Sequence, residues 1–115
     1  MDEFLLIFRR DHINKENQPA PEAMQASVKQ WQDWLGGIAA QNKLSRPLQM
    51  WDTVGKVVTT DKTVVNGPYA EIKESIGGMI FIQATNYEEA AEIAKGCPIL
   101  NLGGNVEIRL AVAAH

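Results

Sequence analysis

Apolar residues follow two patterns along this chain, compact runs and recurrence at every third or fourth position. These two patterns predict its strands and its helices. Residues 3–9 and 76–85 are compact apolar runs rich in Phe and Ile, which is typical of β-strands. Between them, apolar residues recur at spacings of three and four: Met24, Val28, Trp31, Leu35 and Ile38. This spacing predicts one helix from Pro21 to about Gln41, with its apolar face toward the core.

Shorter patterns complete the order of elements. Residues 49–53 form a weak strand candidate, and residues 55–60 and 63–65 flank Asp61-Lys62 as the arms of a hairpin. After the strand at 76–85, Asn86 is a predicted helix cap, with Glu89 three residues later.

That second helix ends near Gly96, and residues 105–111 form the closing strand. The order is therefore strand, helix, hairpin, strand, helix, strand. It predicts an α+β fold, a ferredoxin-like βαββαβ sheet with two helices on one face.

Two of the predicted strands are apolar on both of their faces. In the first strand Leu5 and Ile7 oppose Phe4, Leu6 and Phe8. An antiparallel sheet with helices on one side normally alternates apolar and polar residues, so a second cover is needed. We expect that cover to be a second copy of the chain, as in dimeric α/β barrels.

The central and closing strands show what the second face carries. Met79 and Phe81 oppose Ile80 and Ile82 in the central strand. In the closing strand, Glu107 and Arg109 share one face, and Val106, Ile108 and Leu110 share the other. We expect the apolar set to face the helices, which places Glu107 and Arg109 on the side of the second copy.

Composition narrows the class of protein. At 115 residues the chain is one predicted domain, spanning residues 1–115. The net charge of −3 gives no basic patch, which argues against nucleic acid as a partner. The single cysteine, Cys97, excludes an internal disulfide and argues against a metal site. The first apolar run is too short for a membrane span, so we expect a cytoplasmic protein without membrane contact.

Residues 66–78, reading NGPYAEIKESIGG, place Glu71, Lys73 and Glu74 between a Gly-Pro turn and the glycine pair that opens a predicted strand. This segment resembles the signature of the YCII-related family in its DGPF branch. The matching positions are Gly67, Pro68, Ala70, Glu71, Lys73, Glu74, Gly77 and Gly78. The resemblance covers most of the chain and implies a ferredoxin-like domain that dimerises through its sheet face, with a pocket near the interface.

The chain departs from this family pattern at specific positions. Asn66, Tyr69 and Ile72 stand where the signature has Asp, Phe and Thr. YciI-type relatives also carry a His–Asp pair, with the His at the start of the first helix, and this chain has no His in that helix. That acid–base pair therefore does not transfer to this chain.

The first functional hypothesis is a homodimer that binds a small organic acid or anion and needs no cofactor or metal. The predicted ligand-binding residues are Asn66, Tyr69, Glu71, Lys73, Glu74, Glu107 and Arg109. The second hypothesis is a small cofactor-independent enzyme for proton abstraction, elimination or ring opening, with Glu71 or Glu74 as the base. The resemblance also leaves open an accessory role in a sigma-factor system.

The cysteine, histidine and tryptophan residues are mostly expected in packed or exposed positions without a role in chemistry. We expect Cys97 to be a packed apolar residue, and His12 and His115 to be exposed. Trp31 lies on the helical stripe and is expected in the core, whereas Trp34 and Trp51 are possible pocket residues.

Overall fold

The computed structural model describes residues 1–10, 21–52, 54–67 and 76–113. Its elements, in chain order, are β1 (Asp2–Arg9), α1 (Pro21–Ala40), β2 (Leu44–Met50), β3 (Gly55–Val58), β4 (Val64–Gly67), β5 (Ile76–Ala84), α2 (Tyr87–Ala94), a 3-10 helix (Pro98–Leu102) and β6 (Asn105–Leu110).

The main sheet has four strands in the order β2-β5-β1-β6, and all neighbouring strands are antiparallel. The two strands at the centre, β1 and β5, are the two apolar runs of the sequence. The outer strands are β2 and β6. This order, with a helix after β1 and another after β5, is that of a ferredoxin-like α+β fold, so the predicted fold class is confirmed.

Both helices cover the same face of the sheet. Phe4, Leu6 and Phe8 of β1 and Ile80 and Ile82 of β5 are almost fully buried. They form one cluster with residues of both helices: Trp31, Trp34, Leu35, Ile38, Ala90, Ile93 and Ala94. The opposite face of the four-stranded sheet carries no helix among the described residues. We call it the helix-free face.

The apolar stripe of α1 is shorter than the sequence predicts. Val28 is 56% exposed, so its predicted place in the core is wrong. The reason is that α1 begins to pack against the described core at Trp31, about one turn later. On β6, Val106 and Ile108 pack against the core as expected, but Leu110, at the end of the strand, is exposed.

The second strand of the sheet lies earlier than predicted. A strand was expected at residues 49–53, whereas β2 spans Leu44–Met50. This strand is hard to recognise in the sequence, because Arg46 and Pro47 interrupt the apolar run and a proline inside a run argues against a strand. Proline is tolerated here because β2 is an edge strand, and its register with β5 shifts twice.

The predicted hairpin is present but does not join the main sheet. Within the described part of the chain, strands β3 and β4 pair only with each other, in a separate two-stranded sheet. Lys62, in the turn between them, adopts a left-handed conformation with φ of 68°. The hairpin is therefore an insertion between β2 and β5 of the ferredoxin-like order.

Helix ends follow the predicted capping chemistry. The Asn86 side chain accepts a hydrogen bond from the Glu89 backbone N–H at 2.9 Å. Glu89 reaches back to the backbone N–H of Thr85 at 3.1 Å, one residue before the expected partner. After α1, Asn42 has a φ of 58°, a left-handed conformation that asparagine tolerates at the end of a helix.

Neither helix, over the residues the structure describes, combines the length and the apolar character that crossing a membrane requires.

Candidate functional site on the helix-free face

The centre of the helix-free face is an apolar strip on β1 and β5. Leu5 pairs with Phe81 across the two strands, and Ile7 pairs with Met79. Ile7 is only 8% exposed, and the other three side chains are half-buried. The two-faced apolar pattern of the sequence therefore leaves Leu5, Met79 and Phe81 partly exposed, because the helices pack against the opposite side chains of the same strands.

A charged cluster lies at the β6 edge of this strip. Arg9 donates to Glu107 Oε1 from Nε at 3.1 Å and from Nη2 at 2.9 Å. Arg109 donates from Nε to Glu107 Oε2 at 2.7 Å. Glu107 therefore bridges two guanidinium groups, one on β1 and one on β6.

The cluster shifts the ionisation of its members. Hydrogen bonds from Arg109 and then from Arg9 lower the pKa of the Glu107 carboxyl below its ordinary value. The same bond to Glu107 raises the pKa of Arg109. The carboxylate is consequently ionised at neutral pH and holds both arginines in place.

The strand register places a cation at each end of one row across the helix-free face. The row runs from Arg46 on β2 through Phe81 and Leu5 to Arg109 on β6. With strands about 4.8 Å apart, its ends lie about 14 Å from each other. The face therefore presents an apolar centre between two margins that each carry an arginine.

A cavity of about 500 Å³ lies at the β2 margin, between β2 and β5. Its lining is mainly apolar and consists of Arg46, Pro47, Leu48, Gln49, Trp51, Met79 and Phe81. The guanidinium carbon of Arg46 lies 4.4 Å from the centre of the Phe81 ring. Trp51 is half exposed, which agrees with its interpretation as a possible pocket residue.

The predicted ligand-binding residues are only partly described. Glu107 and Arg109 lie together on the helix-free face, as strand parity indicated. Asn66 lies in the hairpin sheet, where its side-chain oxygen accepts a hydrogen bond from Lys56 Nζ at 2.6 Å. Tyr69, Glu71, Lys73 and Glu74 lie outside the described residues, and so does His12. Their roles stay predictions.

Sequence reasoning missed two residues of this face, Arg9 and Arg46. The face on which Arg9 lies could have been predicted from strand alternation, because Arg9 lies two residues beyond Ile7 on β1. Arg46 could not be assigned to a face, because the strand that carries it was predicted to begin at residue 49, five residues too late.

Other residues singled out from the sequence have structural roles. Cys97 is 2% exposed, and burial raises the pKa of its thiol to about 12, so it is the packed residue expected. Trp31 packs edge-on against Phe8 in the core. Trp34 also packs there, and its Nε1 donates to the Ile93 carbonyl at 3.0 Å. It is half-buried and lines a pocket between α1 and α2, which agrees with its interpretation as a possible pocket residue. Within the described ranges, no three His, Cys, Asp or Glu residues are grouped to hold a metal ion.

The fold and this face define a small α+β domain with one helix-covered and one helix-free sheet surface. The chain belongs to the YCII-related domain family, whose family model matches residues 4–112. No curated protein matches it. Among solved structures it is similar to 5-chloro-2-hydroxyhydroquinone dehydrochlorinase from Burkholderia phenoliruptrix, in complex with 2,5-dihydroxybenzoquinone. The identity is 14%, the coverage is 97% of this chain and 94% of that chain, and the TM-score is 0.48.

Proposed function

We propose that the protein is a homodimer, joined through its helix-free face, that binds a small organic acid or anion beside the interface. The observation that carries the proposal is the apolar strip of Leu5, Ile7, Met79 and Phe81 with the Arg9–Glu107–Arg109 cluster at its margin. The strip supports the dimer, and the cluster supports the ligand.

The dimer follows from the energetics of the apolar strip. Each large apolar side chain that passes from water to a packed contact contributes about 1.5–3 kcal/mol. Leu5, Met79 and Phe81 are only half-buried within one chain. A second copy presents the same strip, so a two-fold contact buries both surfaces at once.

The anion site follows from the chemistry of the charged cluster. Arg109 uses only Nε in its described hydrogen bonds, which leaves its terminal nitrogens without a described partner. The Arg109 side chain is 70% exposed, so its terminal nitrogens are accessible to a ligand. A planar guanidinium fits a carboxylate through paired hydrogen bonds, which makes Arg109 the proposed anion holder.

We propose that the signature segment supplies the rest of this pocket through Asn66, Tyr69, Glu71, Lys73 and Glu74. Segment 68–75 joins β4 to β5, and β5 carries Met79 and Phe81 of the apolar strip. In this proposal Lys73 serves as a second cation for the ligand, and Glu71 and Glu74 bind its polar groups.

Calorimetric titration of the native protein with a panel of small aliphatic and aromatic acids tests this function. We expect at least one acid to bind, and Arg109→Ala to abolish that binding while the dimer persists. Lys95→Ala is the matched control, because Lys95 is also 70% exposed and also pairs with a glutamate, but on α2's exposed side. Absence of binding by the native protein, or binding of every acid in the panel by Arg109→Ala with unchanged affinity, would contradict the proposal.

A further inference from the structure

We propose that the cavity between β2 and β5 is a second binding site, specific for a planar aromatic carboxylate. It lies at the opposite margin of the helix-free face from Arg109. The proposal rests on the lining of the cavity and does not depend on the Arg109 site.

The cavity has the size and composition of a small-molecule site. Its volume of about 500 Å³ falls within the range of roughly 300–1,000 Å³ that is usual for ligand pockets. Such pockets are mostly apolar, with a few polar groups that fix the orientation of the ligand. Here Leu48, Met79 and Phe81 supply apolar surface, and Arg46 supplies the charge.

Arg46 is a cation without a carboxylate partner in the part of the chain that the structure describes. Its guanidinium stacks on Phe81 at 4.4 Å, within the range of a cation–π contact. Stacking fixes the plane of the guanidinium but leaves the N–H groups at its edge unused. Those N–H groups are suited to a carboxylate, which can accept two of them in parallel.

Trp51 supplies a flat apolar surface in the same cavity. Half of its side chain is exposed, although its backbone is held by a hydrogen bond from its N–H to the Gly77 carbonyl at 3.1 Å. An indole on a fixed backbone favours a planar ring over a flexible aliphatic chain.

These two features together define the ligand class. The carboxylate is bound by Arg46, and the ring lies against Trp51 and the apolar lining. A neutral aromatic compound lacks the first interaction, and a non-planar acid lacks the second.

Titration with benzoate, followed by calorimetry and by tryptophan fluorescence, tests the site. We expect native protein to bind benzoate with a change in fluorescence, and Arg46→Gln to bind it at least about tenfold more weakly, because a charged hydrogen-bonded pair is lost. Arg46→Lys keeps the charge without the planar fork and should bind with intermediate affinity. Trp51→Phe should lose the fluorescence change.

Three comparisons separate this site from alternatives. Cyclohexanecarboxylate and benzamide should bind clearly more weakly than benzoate, and Arg109→Ala should bind benzoate as the native protein does. Absence of benzoate binding, or equal binding by Arg46→Gln, would overturn the site. Equal affinity for cyclohexanecarboxylate would overturn the ligand class. Loss of benzoate binding in Arg109→Ala with retention in Arg46→Gln would assign the ligand to the other margin.

Discussion

Arg9 on the first strand donates two hydrogen bonds to one carboxylate oxygen of Glu107 on the last strand, although 98 residues separate them in sequence. The pair joins β1 to the edge strand β6 on the helix-free face. Arg109 contacts the other oxygen of the same carboxylate. The cluster therefore combines a structural link with the proposed anion site.

The first prediction concerns the pH dependence of this link. Because the folded state lowers the pKa of Glu107, its contribution to stability is present above the ordinary glutamate pKa and is lost as pH falls through the folded-state value. Glu107→Gln should therefore be less stable than the native protein at pH 7, by at most about 1 kcal/mol. The difference should shrink as the pH is lowered below about 4.

Denaturant unfolding across this pH range measures the effect. Glu88→Gln, which removes the same charge from an exposed position on α2, is the control. A stability difference between Glu107→Gln and native protein that is independent of pH would show that the charge of Glu107 contributes nothing to stability.

The second prediction contrasts two glycines. An added Cβ at Gly36, inside α1, would meet no described atom within 4 Å, so Gly36→Ala should stabilise the protein by about 1 kcal/mol through helix propensity. At Gly78 the added Cβ would lie 2.8 Å from a backbone oxygen, so Gly78→Ala should destabilise by about 1–3 kcal/mol. Thermal unfolding of both variants shows whether each substitution stabilises or destabilises the protein. Destabilisation by Gly36→Ala would mean that this helix surface is covered in solution.

The third prediction concerns the cysteine. Because burial raises the pKa of Cys97 to about 12, its thiol should not react with a thiol reagent in the native protein at pH 8. The reagent should modify it after unfolding. Val112→Cys places a second thiol at a position that is 82% exposed, and this thiol should react at once. Rapid modification of native Cys97 would show that the core around it opens readily.

The sequence predicts the core of this fold well because its strongest patterns are also its buried elements. The strands β1 and β5 and the second half of α1 are recognisable from their periodicity alone. The strand β2 is not, because an edge strand with a proline lacks the alternation that burial imposes on central strands. Arg46 and its cavity were missed for the same reason.

The predicted site also contains residues whose positions the sequence predicts and residues whose positions it does not. Strand parity correctly brings Glu107 and Arg109 to one face, because alternation along a strand is a local property. The place of Asn66, by contrast, is not a local property of the sequence. Its place in a hairpin outside the main sheet depends on which strands pair, and pairing is decided by the whole chain. Local sequence therefore indicates which side chains share a strand face, but not which strands share a sheet.

Sedimentation velocity at micromolar concentration tests the central claim, that the helix-free face is an interface between two copies. The native protein should sediment as a species of twice the chain mass of 12.7 kDa. Met79→Lys, which places a charge within the apolar strip, should shift it to the monomer, whereas Val28→Lys on the exposed side of α1 should not. A native protein that sediments as a monomer, or a Met79→Lys variant that remains a dimer, would contradict the account.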